Sequence, residues 1–87
     1  MHIDWFLWNE HKSEHIARHG IHPDEVDEAI EGKYHTFTTH SGRYLLLGPS
    51  AAGRYLAVIF ESLGDGKGWV ITARDMTRAE RRRYGKL

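Results

Sequence analysis

The sequence predicts an α+β domain: two amino-terminal helices, an antiparallel sheet of four to five strands, and a carboxy-terminal helix. Three observations carry this. Helix start and stop signals gather in the first third of the chain and again at its end. Between them lie runs rich in β-branched, aromatic and leucine residues. Short, mostly glycine-bearing links join those runs, which suits strands that pair with their sequence neighbours. A chain of 87 residues fits a single domain over 1–87 with one core.

Taken in order, Trp5-Phe6-Leu7-Trp8 reads as a short first strand and Asn9 as a helix N-cap. A helix from about Glu10 to His19 follows, with Gly20 as the left-handed residue that ends it. Pro23 at a first helical position, Asp24 and Glu25 in the first turn, and Ile21 spaced to pack on Val26 open a second helix to about Glu31. That helix buries Val26, Ala29 and Ile30, and Gly32 stops it. Strands are expected at Tyr34 to His40, Arg43 to Leu47, Arg54 to Glu61 and Trp69 to Arg74. Tyr55 to Phe60 is apolar on both faces and belongs in the middle of the sheet. Thr77-Arg78-Ala79-Glu80 spells a capping box and starts a last helix from Arg78 to about Tyr84.

Composition excludes several classes of function. Hydrophobic residues make up 40% and charged residues 28%, which fits a folded rather than a disordered chain. With no cysteine there is neither a disulfide framework nor a thiolate zinc site. No stretch approaches the roughly 20 apolar residues of a membrane span. Asp4, Asn9 and Glu10 interrupt anything resembling a secretory leader. A cytoplasmic protein with no membrane partner is expected. The net charge is zero, but it is divided unevenly. Up to Glu31 eight acidic residues face only Lys12 and Arg18, whereas from Gly32 onward ten basic residues face four acidic ones. A folded molecule can therefore carry a cationic surface that its average conceals.

Arg74 is the leading candidate within that surface. It closes the apolar run Trp69-Val70-Ile71-Thr72-Ala73, where a charge must reach solvent, pair with Asp75 or Glu80, or hold an anion such as phosphate. Arg43 and Arg54 each open a strand. With Arg74, Arg78, Arg81 and Arg82 they can form a strip bearing Tyr44, Tyr55 and Tyr84 as stacking surfaces, a mixture that suits RNA. On the last helix, steps of 100° per residue put Met76, Ala79, Glu80, Arg83 and Leu87 on one side. Glu80 and Arg83 then either pair with each other at the margin or meet Arg74 and support a polar site.

His11, His15 and His19 repeat at a spacing that also suits zinc, but Glu14 points away by 100° and a solvated or capping role is the plainer reading. His40, with a turn directly after it, is the better placed of the sheet histidines to transfer a proton. No glycine-rich phosphate loop, nucleophile elbow or paired acidic cluster occurs, so no metal and no cofactor is expected.

Three stretches resemble the BrnT family of toxins. Phe6-Leu7-Trp8-Asn9-Glu10 with Lys12, then Arg18-His19-Gly20-Ile21, is similar to the opening of those proteins. Val70-Ile71-Thr72-Ala73-Arg74, followed by Thr77 to Tyr84, is similar to their close, and Gly53-Arg54-Tyr55-Leu56 to their central strand. The resemblance implies a RelE-like fold and ribonuclease activity on mRNA that stops translation. It also implies neutralisation by a cognate antitoxin, expected to be a ribbon-helix-helix protein, with operator DNA bound only through the complex.

On this reading Arg74 and Arg54 stabilise charge on the phosphate, and His40 or Glu61 transfers protons. Arg43, Arg78, Arg82 and Tyr84 hold RNA, with Glu80 and Arg83 in support. The alternative is a non-catalytic module in which the same surface holds RNA or an acidic protein segment without cutting. RNA that shifts on a gel and stays intact distinguishes it. A zinc adaptor built on the three helical histidines is a third reading, decided by metal analysis of untagged protein.

Overall fold

A computed structural model describes residues 1–39 and 41–86. His40 and Leu87, both singled out in the sequence, lie outside the described residues. The elements are β1 (Trp5–Leu7), α1 (Glu10–Ala17), α2 (Pro23–Ala29), β2 (His35–Thr38), β3 (Tyr44–Pro49), β4 (Tyr55–Gly64), β5 (Lys67–Asp75) and α3 (Arg78–Gly85). They form the expected α+β arrangement around one five-stranded sheet, in the order β1-β5-β4-β3-β2.

One expectation about the sheet needs correction. The strands from β2 to β5 do pair antiparallel with their neighbours, but β1 joins parallel to β5, Trp5 opposite Lys67 and Leu7 opposite Trp69, so the sheet is mixed. The pairing arises because the chain leaves β1 through two helices and returns on the far edge of the sheet. The meander then ends with β5 alongside β1, running in the same direction.

The helix ends follow local chemistry. The Asn9 side chain accepts from the Lys12 amide at 2.7 Å, and Gly20, at a φ of +72°, ends the first helical segment. At α2 the imidazole of His22 is the cap: its Nδ1 accepts from the Asp24 amide at 3.2 Å while the Glu25 carboxylate accepts from the His22 amide at 3.0 Å. At α3 the Thr77 hydroxyl and the Glu80 carboxylate satisfy each other's backbone amides at 3.1 and 2.8 Å, the box that the spacing predicts.

Alternation along the strands gives the sheet two faces. On one, α1 and α2 cover the main core, where Ile16, Ile21 and Val26 meet Leu46, Leu56, Val58, Phe60, Val70 and Ala73. On the other, Met76 and the half-buried Tyr84 pack with Leu47, Ala57, Phe37 and Leu45. Gly68 is required where Phe6 and Phe60 close edge to face, since a Cβ there would stand 2.9 Å from the Phe6 ring.

Candidate functional site

Register places the predicted arginines. Leu56 pairs with Asp75 and Ala57 with Arg74, so Asp75 shares the α1/α2 face with Leu56 while Arg74 shares the α3 face with Ala57. Arg54 goes with Asp75. Its Nε and Nη2 donate to the two Asp75 oxygens at 2.7 and 3.0 Å, and its Nη1 donates to the Gly20 carbonyl at 2.7 Å and to Glu25 at 3.5 Å. The expectation that Arg54 and Arg74 converge on one phosphate is therefore not met. Arg54 ties the α1–α2 loop to the sheet, and its hydrogen bonds hold Asp75 below the ordinary carboxylate value of 3.8.

On the α3 face Arg74 forms a fork-to-fork pair with Glu80, Nη1 to Oε1 at 2.6 Å and Nη2 to Oε2 at 3.0 Å, and its Nη1 also donates to the Asp75 carbonyl at 3.3 Å. The pairing, more than the cap at Thr77, holds Glu80 below its ordinary value of 4.5 and raises Arg74 further above neutrality. Glu80 thus meets Arg74, one of the two arrangements the helical wheel allows. Arg83 does not join it. Its guanidinium lies over the Phe37 ring, 3.6 Å from the centroid.

Beyond this pair an open groove of about 380 Å³ is lined by Tyr55, Arg78, Arg81, Arg82, Tyr84 and Gly85. Tyr55 and Tyr84 meet edge to face at 6.1 Å, and the Arg81 guanidinium sits over the Tyr55 ring at 4.4 Å. The Tyr84 hydroxyl donates to the Lys33 carbonyl at 2.7 Å, which fixes the ring, and burial pushes its hydroxyl above the ordinary value of 10.0. Arg78 and Arg82 are one helical turn apart on the groove wall, and among the described residues neither makes an ion pair. Their charge is available to a ligand.

The remaining expectations divide. Glu61 and Arg43 pair with each other at 3.4 Å. They lie four residues along β4 from the Arg74 position, about 13 Å away. Tyr44 does not join the strip: it stacks on Phe60 at 5.6 Å within the main core. His15 meets the Thr72 hydroxyl at 3.1 Å and the His19 ring edge to face at 5.6 Å. Sequence reasoning gave no sign of the Arg83–Phe37 stack and preferred His40 to His35, whose buried Nε2 has no partner among the described residues and whose ring lies 5.8 Å from Tyr84. A histidine in a strand gives no hint of which helix will cover it.

Paired tyrosines and unpaired arginines thus line one open groove of this α+β domain, a lining that offers donors to anions and rings to flat groups. The family model described as ribonuclease toxin, BrnT, of type II toxin-antitoxin system matches residues 8–80, and the chain belongs to that family. No curated protein matches the sequence. Among solved structures it is similar to the Brucella abortus ribonuclease toxin BrnT, solved at 1.1 Å resolution, with 25% identity and a TM-score of 0.67 over 84% of this chain and 96% of that one. Membership implies an antitoxin partner. Among the described residues no helix is long and apolar enough to cross a membrane.

Proposed function

We propose that this toxin cleaves messenger RNA in the cytoplasm without a metal ion and thereby stops translation. The observation that supports this most is the α3 groove, where the unpaired Arg78 and Arg82 stand beside the rings of Tyr55 and Tyr84. Guanidinium groups match phosphate oxygens and tyrosine rings accept stacked bases, so the groove offers both halves of a nucleotide a partner. A wall of cations also repels a divalent ion, which favours chemistry carried by side chains alone.

In such a reaction the 2′-hydroxyl oxygen attacks phosphorus and the bond to the 5′-oxygen breaks. The proton removed from the first oxygen is replaced by one delivered to the second. Arg74, on the same face as the groove, is assigned to the charge that builds on the phosphate. To reach it, that charge must compete with Glu80 for the guanidinium. Glu61 and Arg43 are too far along β4 to share this phosphate and are assigned to the strand beyond it. His40, next in the chain to Thr39, whose amide donates to the Arg43 carbonyl at 2.9 Å, is assigned with Glu61 and Arg43 and not to this phosphate. Arg54 is assigned a structural role.

The antitoxin is proposed to be a ribbon-helix-helix protein that alone gives the complex its hold on operator DNA. The test is incubation of the purified chain with RNA in excess chelator. Cleavage that survives chelation and is lost in Arg74→Ala supports the reading. Intact RNA that nevertheless shifts on a gel replaces it with a binding module.

A further inference from the structure

The face of the sheet that carries α3 has a second apolar area at its far edge. Along β1 only Phe6 points into the core, so Trp5 and Leu7 stand on the opposite face, 53% and 40% exposed. Register sets Leu7 beside Trp69 and Trp5 beside Lys67, whose ammonium lies 6.0 Å from the Trp5 ring centroid. β1 is also the last strand on this side of the sheet, and its outer backbone edge has no strand partner among the described residues. Exposed large apolar side chains gathered on one face mark a place where something docks.

We infer that this edge is where the antitoxin anchors, through an acidic amphipathic segment that lies on Trp5, Leu7 and Trp69 and continues over the Arg74–Glu80 pair to the α3 groove. Size argues for the continuation. Two half-exposed indole and leucine side chains with a neighbour offer on the order of a few hundred Å², well short of the roughly 800 Å² per partner in a stable complex. From Trp69 to Arg74 along β5 is about 16 Å, the length of about eleven residues of helix. Charge argues for an acidic occupant, because the path runs from Lys67 to the unpaired Arg78 and Arg82, while Glu61, in register with Trp69, is paired with Arg43 and Asp4 beside Trp5 marks the acidic limit of the path. A second copy fits poorly: a two-fold contact would bring the same cationic strip against itself. RNA would find few cations beside Trp5 and Leu7. The inference rests on the family for the partner, and on the RNA reading only for the consequence that the bound segment covers the groove.

The test uses full-length chain and the purified antitoxin encoded beside its gene. Trp5→Ser combined with Leu7→Ser should weaken antitoxin binding by about thirtyfold or more, as loss of interface anchors does. RNA cleavage and the melting temperature should stay unchanged, so cells making the variant stop growing and the antitoxin no longer rescues them. Should the double variant fold poorly, Lys67→Glu on the rim replaces it, with a slower association rate and a flatter salt dependence expected. Several results overturn the inference: full antitoxin affinity in the double variant, an unchanged rate and salt dependence in Lys67→Glu, self-association of the parent that the double variant abolishes, or loss of RNA binding alone. Failure of the parent to cleave RNA would refute the nuclease reading, while the antitoxin titration would still decide this one.

Discussion

Arg54 and Arg74 lie at the same end of the β4–β5 pair, on either side of Asp75 in space, and are used in different ways. Arg54 spends its donors on Asp75, the Gly20 carbonyl and Glu25, all within the protein. Arg74 has a single carboxylate partner, Glu80, which also completes the capping box of α3 by accepting from the Thr77 amide. On the α1/α2 face positive charge closes a seam between helices and sheet. On the α3 face it is left beside two tyrosines in an open groove, with Arg78 and Arg82 still unpaired among the described residues. Charge without an internal partner is what a binding surface requires, and on the α3 face it stands beside aromatic rings in a groove.

Substitution at the two arginines should separate the faces. The largest effect is expected from Arg74→Ala. Loss of one electrostatic donor costs about a hundred- to thousandfold in rate, so RNA cleavage per folded molecule should fall by that much. Arg54→Ala should act on stability instead. It frees a carbonyl and two carboxylates at a half-exposed site, worth about 1–2 kcal/mol, or about 4–8 °C in melting temperature per kcal/mol, with cleavage per folded molecule unchanged. Equal losses of cleavage in the two variants would erase the distinction.

How much of this was legible in the sequence depended on how local the cause was. The capping box at Thr77 and Glu80, the stop at Gly20 and the start at Pro23 are written within four residues and fell where expected. β1 was expected as a strand, but its parallel partner lies some sixty residues away and nothing near Trp5 names it. The same limit explains the arginines. Arg54 opens one apolar strand and Arg74 closes another, and only the register of Leu56 against Asp75 reveals that they face opposite ways. Tyr44 looked like a stacking surface, but its alternation with Arg43 packs it, partly buried, against the main core. Arg78 and Arg82 were recoverable because the helical period alone separates them from Met76, whereas Tyr84 packs in the same cluster as Met76.

Smaller effects sharpen the comparison. Arg78→Ala with Arg82→Ala should weaken RNA binding at all sequences. The salt slope should fall by about 0.7 for each single-strand phosphate that is no longer neutralised, about 1.4 together. Unfolding in denaturant should be nearly unaffected, because neither side chain has an ion-pair partner among the described residues. The smallest effect concerns acid. Asp75 and Glu80 are both held below their ordinary values of 3.8 and 4.5, so each favours the fold when ionised. That contribution is complete above those values and is lost as pH falls through the lower values of the folded state. Denaturation curves from pH 6 downward should therefore steepen below about 4.5 in the parent. Arg54→Ala should remove the part due to Asp75 and Arg74→Ala the part due to Glu80.

The most direct measurement is a backbone amide NMR titration of the parent chain with a short single-stranded RNA whose 2′-oxygens are methylated, so that it binds without being cut. The α3 groove as the RNA site predicts the largest shift changes at Tyr55 and from Arg78 to Gly85, with Arg74 and Glu80 following. Gly20, Glu25 and Arg54 should stay still. Changes centred on the Arg54 cluster, with α3 unmoved, would contradict it.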